Sequence, residues 1–238
     1  MGWRLRIWDL AIVVVLILKL SSSRVHGAQE VECYFIFGDS LYDNGNNNNR
    51  QTRARANYPP YGIDFPGGPT GRFSNGRNIP DVIAQLLGFD NSIPPFATAT
   101  DREILKGINY ASGGGGIRDE TGQNNLGDGI SLNGQLQNHR KTVSRISSIL
   151  GNDESATKYL RKCLYTVGIG GNDYINNYLL PQFYPTSRLY TPEQYATLLI
   201  QQYSQQLKTL HDYGARKAST LWNRSNWLCT RFCSYVWN

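Results

Sequence analysis

Histidine is scarce in this sequence, with three among 238 residues: His26, His139 and His211. Cysteine is nearly as sparse, at positions 33, 163, 229 and 233, and no His/Cys spacing resembles a zinc site. Basic residues are scattered and form no run, so the composition makes no case for nucleic acid. Glycines 113 to 116 lack the following Lys-Ser/Thr of a phosphate-binding P-loop, and no G-x-S-x-G elbow occurs anywhere. No internal repeat is visible.

What is present begins with a leader-like N-terminus. Arg4 and Arg6 precede the apolar run Leu10–Leu18, which is too short to span a bilayer, and Val25-His26-Gly27 offers a cleavage site before Ala28. Residues 1–27 are therefore expected to be a secretory signal peptide, against the alternative of a short membrane anchor. They carry Arg4, Arg6, Lys19 and Arg24 against Asp9, so their removal halves the formal charge of +6. An oxidising compartment permits disulfides. Cys33 and Cys163 each sit in an apolar, strand-like run, where buried free thiols are as well accommodated as a bridge.

Further along, Val31 to Phe37 reads as a buried strand ended by Gly38. Asp43 to Gly76 is rich in Asn, Gly and Pro and reads as a long structured loop. Pro80 opens a helix with Val82, Ile83, Leu86 and Leu87 on one face and Gly88 as the stop. Ile108 to Ala111 is a second strand candidate and Cys163 to Val167 a third. Between them, Leu132, Leu136, Val143, Ile146 and Leu150 fall at helical spacing, ended by Gly151. Thr191-Pro192-Glu193-Gln194 forms a capping box for a helix that turns Leu198, Leu199, Leu207 and Leu210 inward and stops near Gly214. Strands alternating with helices predict an α/β fold with a parallel sheet, whose ligands bind beyond the carboxyl ends of the strands.

Each strand candidate runs into a polar, glycine-containing loop at that end: Gly38-Asp39-Ser40, Ser112-Gly113-Gly114 and Gly170-Gly171-Asn172-Asp173. Covalent ester hydrolysis needs a hydroxyl nucleophile, a base, and donors aimed at the developing oxyanion. Ser40 supplies the hydroxyl, Gly113 a backbone N–H without a Cβ in the way, and Asn172 a side-chain amide. Asp39 either orients the serine loop or is a turn carboxylate bonding its own backbone.

In combination these motifs resemble the plant GDSL lipase/esterase family within the SGNH hydrolases. Phe37-Gly38-Asp39-Ser40-Leu41 with Asp43-Asn44-Gly45-Asn46-Asn47 is similar to its first block. Pro60-Tyr61-Gly62-Ile63-Asp64-Phe65 and Thr70 to Arg77 resemble the next stretch, Asn109 to Gly113 the second block, and Gly168 to Tyr174 the third. The resemblance runs from about residue 31 to Lys217. It implies a flavodoxin-like three-layer α/β/α sandwich. It further implies a secreted esterase or lipase acting on acyl or lipid esters, with no cofactor. Ser40 would be the nucleophile, and the N–H groups of Ser40 and Gly113 with Asn172 the oxyanion donors.

The sequence departs from that family in two places. The family's base is a histidine in an Asp-x-x-His motif, and none occurs here. His139, among Gln, Arg and Lys, and His211, beside Asp212, are expected to be surface or helix-end residues. After Gly214-Ala215-Arg216-Lys217 the family continues with an apolar strand and a Gly-x-Gly-x-x-Gly-Cys-x-Pro loop. Here the codons for Thr220 to Arg231, read one nucleotide later, can encode Leu-Phe-Gly-Ile-Gly-Gln-Ile-Gly-Cys-Val-Pro. The organisation expected is therefore a signal peptide over 1–27, the hydrolase domain over 28–217, and an aberrant, frame-shifted tail over 218–238.

Overall fold

A computed structural model describes residues 31–220; the leader and the tail beyond Thr220 lie outside the described residues. Three parallel strands lie in the order β1 (Tyr34–Gly38), β2 (Leu164–Gly168), β3 (Lys217–Thr220), with Tyr34 opposite Leu164 and Leu164 opposite Lys217. The fold is mixed α/β, consistent with part of an SGNH hydrolase sandwich.

Side-chain alternation along the strands builds two cores. Phe35, Phe37, Tyr165 and Val167 share one cluster with Leu132, Leu136, Leu199 and Leu207. Tyr34 and Ile36 share the other with Ala84 and Ile93. Helix α1 (Ile79–Leu86) therefore covers one face. The other is covered by α3 (Leu132–Leu150) and α7 (Pro192–Asp212), with α4 (Asp153–Leu160) beside α3. Short helical turns complete the chain: α2 (Asp101–Ile104), α5 (Gly171–Asp173), a π-turn over Tyr174–Tyr178 and α6 (Thr186–Leu189).

Local chemistry sets the helix boundaries. Asn78 caps α1 in a reciprocal box with Asp81, Ser131 caps α3, and Thr191 with Gln194 closes the box at the start of α7. Each box pairs the N–H of the cap residue and that of the third helical residue.

Three findings differ from the sequence reading or add to it. The segment 106–112 is not a regular strand, yet it runs parallel to β1. Tyr34 N donates to Lys106 O, Ile36 N to Ile108 O, Tyr110 N to Ile36 O and Ser112 N to Gly38 O, at 2.7–3.1 Å. Its Asn109 also bridges Pro95, so the segment shares its hydrogen bonds with a loop. Parallel pairing continues past Lys217 to Thr220, although Lys217 and Ser219 are exposed and the strand buries little. Cys33 and Cys163, of which the sequence left the redox state open, form a disulfide across the amino ends of β1 and β2, Cα atoms 4.6 Å apart. The pairing follows from the register, since each cysteine immediately precedes residues that face each other, Tyr34 and Leu164.

Candidate active site

The serine loop begins where β1 stops. Asp39 N donates to Gly168 O at 3.1 Å, and Asp39 O accepts from Tyr42 N and Asp43 N at 3.1 and 2.9 Å, folding residues 39–43 into a turn. The Asp39 carboxylate accepts from Leu41 N at 3.0 Å, so it bonds its own turn and in doing so orients the loop bearing Ser40. Burial drives the Asp39 carboxyl up to about 6; the nearby Asp173 charge adds to this, and the Leu41 N–H opposes it. Ser40 is half-buried, and neither its N–H nor its hydroxyl is bonded among the described residues. Tyr42 packs over Gly168, where a Cβ would come within 2.1 Å of the ring.

The asparagines after the serine clasp the second loop. Asn46 Nδ2 donates to Asn109 O and Ala111 O, and Asn47 Nδ2 to Gly113 O, at 2.8–2.9 Å. Ser112 Oγ donates to Asn47 Oδ1 at 2.6 Å. These amides satisfy carbonyls of a buried, irregular backbone that no full strand ladder would reach. Asp43 is fully buried and accepts from Gly45 N, Asn46 N and Gly113 N at 2.8–2.9 Å. Burial raises its carboxyl to about 6, against those three N–H groups and Arg72.

The bond from Gly113 has a consequence for the site: the N–H expected to meet an oxyanion is already given to Asp43. The next residue, Gly114, sits at φ 78° inside a turn closed by Gly115 N on Ser112 O at 3.0 Å. Positive φ at this position is the mark of a type II turn and needs glycine. The Gly114 N–H has no acceptor among the described residues. A run of four glycines hides from the sequence which of them makes the turn.

The third loop follows β2. Asn172 is buried; its Nδ2 donates to Gly115 O at 2.9 Å and its Oδ1 accepts from Asn176 at 2.7 Å. An amide nitrogen carries two hydrogens, so one is left for a ligand. Asp173 accepts from Ile117 N, Arg118 N and Thr121 Oγ1 at 2.7–3.0 Å, while burial raises its carboxyl to about 6. The three loops are thus joined by direct bonds at the carboxyl end of the sheet: serine loop to β2, serine loop to Gly113, and Asn172 to Gly115.

Neither described histidine belongs to this cluster. His139 is no surface residue: it is fully buried, ringed by Phe35, Phe37, Tyr110 and Tyr165, and its Nδ1 lies 3.2 Å from Tyr110 Oη. Burial lowers its pKa to about 3, which keeps it neutral. The reason is geometric. Residues 132, 135, 136, 139, 142 and 146 make one inward stripe on α3, and three of the six are polar or titratable and were invisible to an apolar count. His211 lies in the last turn of α7, ahead of β3, hence at the amino end of the sheet and away from Ser40. Among the described residues no group of three or more His, Cys, Asp or Glu is placed to hold a metal, and no helix is long and apolar enough to cross a membrane.

One contributor was missed by the sequence reading. The fully buried Gln135 on α3 accepts from Gly38 N at 2.9 Å and donates to Gly38 O at 2.8 Å, fixing the strand end that carries Asp39 and Ser40.

Residues 34–231 match the family described as GDSL-like Lipase/Acylhydrolase. Three Arabidopsis thaliana proteins, each named a GDSL esterase/lipase, are similar to the chain. One is 57% identical over 213 residues, covering 90% of this chain and 58% of the relative. A second is 54% identical over 206 residues, 87% and 56% respectively. A third is 58% identical over 185 residues, 78% and 51%. The chain therefore spans little more than half the length of these relatives.

Proposed function

Because the chain belongs to the GDSL-like lipase/acylhydrolase family, we propose that its site cleaves carboxylic esters through an acyl-serine intermediate. Ser40 Oγ attacks the ester carbonyl carbon, the alcohol leaves with a proton, and water then releases the acid. The Ser40 N–H and the free Asn172 hydrogen stabilise the oxyanion. The glycine loop adds a donor, either Gly114 N–H directly or Gly113 N–H after exchanging Asp43 for the oxyanion. Each such donor is worth about a hundred- to a thousandfold in rate. The observation that carries this reading is the bonding of all three loops around the end of β1.

The substrate is a lipid or other acyl ester, and the protein acts outside the cell. The Cys33–Cys163 bridge supports an oxidising compartment. The signal-like pattern of residues 1–27 supports export.

A second reading has its own support. With His139 enclosed in the core and His211 at the far end of the sheet, no described histidine serves Ser40 as base. A chain so arranged binds acyl esters weakly and turns them over slowly, keeping only the contribution of the oxyanion donors, about a thousand- to ten-thousandfold over water. Hydrolysis of p-nitrophenyl butyrate by the wild type and by Ser40→Ala separates the two. The hydrolase reading expects a rate at least about a hundredfold above the variant. Equal rates overturn it and leave the impaired chain.

A further inference from the structure

Asn172, the amide proposed to meet the oxyanion, ends a single file of hydrogen bonds that begins at a buried phenol. Asn124 N donates to Tyr184 Oη at 2.9 Å, and Tyr184 Oη donates to Asn125 Oδ1 at 3.0 Å. Asn125 Nδ2 donates to Asn176 Oδ1 at 3.0 Å, Asn176 Nδ2 to Asn172 Oδ1 at 2.7 Å, and Asn172 Nδ2 to Gly115 O at 2.9 Å. Every bond points the same way, toward the glycine loop. Tyr184 and Asn172 are buried at the two ends, with Asn125 and Asn176 half-buried between them. The Asn124 side chain fastens the far end by donating to Phe183 O at 3.0 Å.

One group sets this direction. A carboxamide can turn over and exchange its oxygen for its nitrogen, but a carbonyl such as Gly115 O only accepts. Asn172 must therefore offer Gly115 its nitrogen and turn its oxygen to Asn176. Asn176 must then give its nitrogen to Asn172 and its oxygen to Asn125, and Asn125 must take its last bond from the Tyr184 hydroxyl. Reversing Asn176 sets oxygen against oxygen on one side and N–H against N–H on the other. Hydrogen bonds that run head to tail also polarise one another, which strengthens the remaining N–H of Asn172 as a donor.

We infer that Tyr184, Asn125 and Asn176 are positioning residues for the oxyanion site. They touch no substrate. They hold the Asn172 amide so that its nitrogen, and not its oxygen, faces the charge developing on the ester carbonyl. This assignment rests on the hydrolase reading of Ser40 and adds to it three residues outside the motifs that carry the chemistry.

The test measures kcat and KM for p-nitrophenyl butyrate on the full chain between about pH 4.5 and 8, each variant relative to the wild type at the same pH. Asp39, Asp43 and Asp173, whose carboxyls are raised to about 6, are common to all and cancel in that ratio. Tyr184→Phe, which removes the first hydroxyl donor, and Asn176→Leu, which removes a link without adding charge, are each expected to lower kcat about five- to tenfold with KM little changed. Asn176→Asp is expected to lose about a hundredfold or more at the alkaline end, since a carboxylate only accepts and turns Asn172 over. As pH falls, the introduced carboxyl takes up a proton and donates to Asn172 Oδ1, and the relative kcat should climb past that of Asn176→Leu. Relief of charge repulsion alone would bring it only level with that variant. Unfolding curves identify any variant that fails to fold, and either the Asn176 pair or Tyr184→Phe suffices. Equal rates in the wild type and Ser40→Ala would overturn the hydrolase reading and this inference with it. Where hydrolysis depends on Ser40, two results overturn this inference alone: Asn176→Asp never rising above Asn176→Leu, or a folded Tyr184→Phe that keeps the full kcat or loses only through KM.

Discussion

Gln135 bonds both backbone groups of Gly38 from a helix, doing at the tip of β1 what a neighbouring strand does along its length. Helix α3 is thereby coupled to the turn that carries Ser40. Gln135→Leu keeps the volume but orphans the buried Gly38 N–H. The expected cost is about 2 kcal/mol of unfolding free energy, read by urea titration. In the ester assay the loss should fall on kcat more than on KM, since the substitution disturbs the placement of Ser40 and touches no substrate.

Asp39 gives the protein an unusual acid response. Its folded pKa of about 6 lies above the ordinary 3.8, so the folded state binds its proton more readily than the unfolded chain. The stability it contributes is fully present below 3.8 and is lost as pH rises through about 6. Asp39→Asn retains the Oδ1 acceptor for Leu41 N while removing the titration. Between pH 4 and 6 the unfolding free energy of the variant should fall less steeply than that of the wild type, by an integrated difference on the order of 2 kcal/mol. Parallel slopes in the two proteins would contradict this.

Gly168 is a matter of space. A methyl group there meets the Tyr42 ring at 2.1 Å, and that ring lies over the strand end. Gly168→Ala should lower stability by about 1–3 kcal/mol through overpacking. Tyr42→Ala in the same chain should restore part of it, a non-additivity that a thermal double-mutant cycle measures directly.

The bridge between Cys33 and Cys163 closes a separation of 130 residues. Cys33→Ala with Cys163→Ala should cost about 2–5 kcal/mol, chiefly by freeing the unfolded chain. Dithiothreitol should lower the wild-type melting temperature and leave that of the double variant unmoved.

Much of this architecture was legible because it rests on local signals. The cap at Thr191, the stop at Gly151 and the apolar run ending at Phe37 are written in neighbouring residues. What escaped is non-local. His139 and Gln135 lie inward because α3 buries a stripe wide enough to include polar members, and their partners, Tyr110 and Gly38, are distant in the chain. The Ile108–Ala111 segment has the composition of a strand, but its outer hydrogen bonds go to Pro94 and Phe96 in place of another strand. Whether Gly113 or Gly114 presents a free N–H depends on Asp43, a side chain 70 positions earlier. The role of the Asn-rich motif as a set of amide clasps becomes evident only when the carbonyls it serves are in view.

The only covalent link among the described strands, at Cys33, lies just before the foot of β1, whereas Ser40 stands just beyond its tip, with the four residue steps of the strand, roughly 13 Å, between the two ends. The two ends therefore age differently. Partial denaturation will loosen the tip while the foot stays tethered. The proposed ester hydrolysis is expected to be lost before the fold is, and to return as the rim closes again, because the tether spares the chain the search for its register.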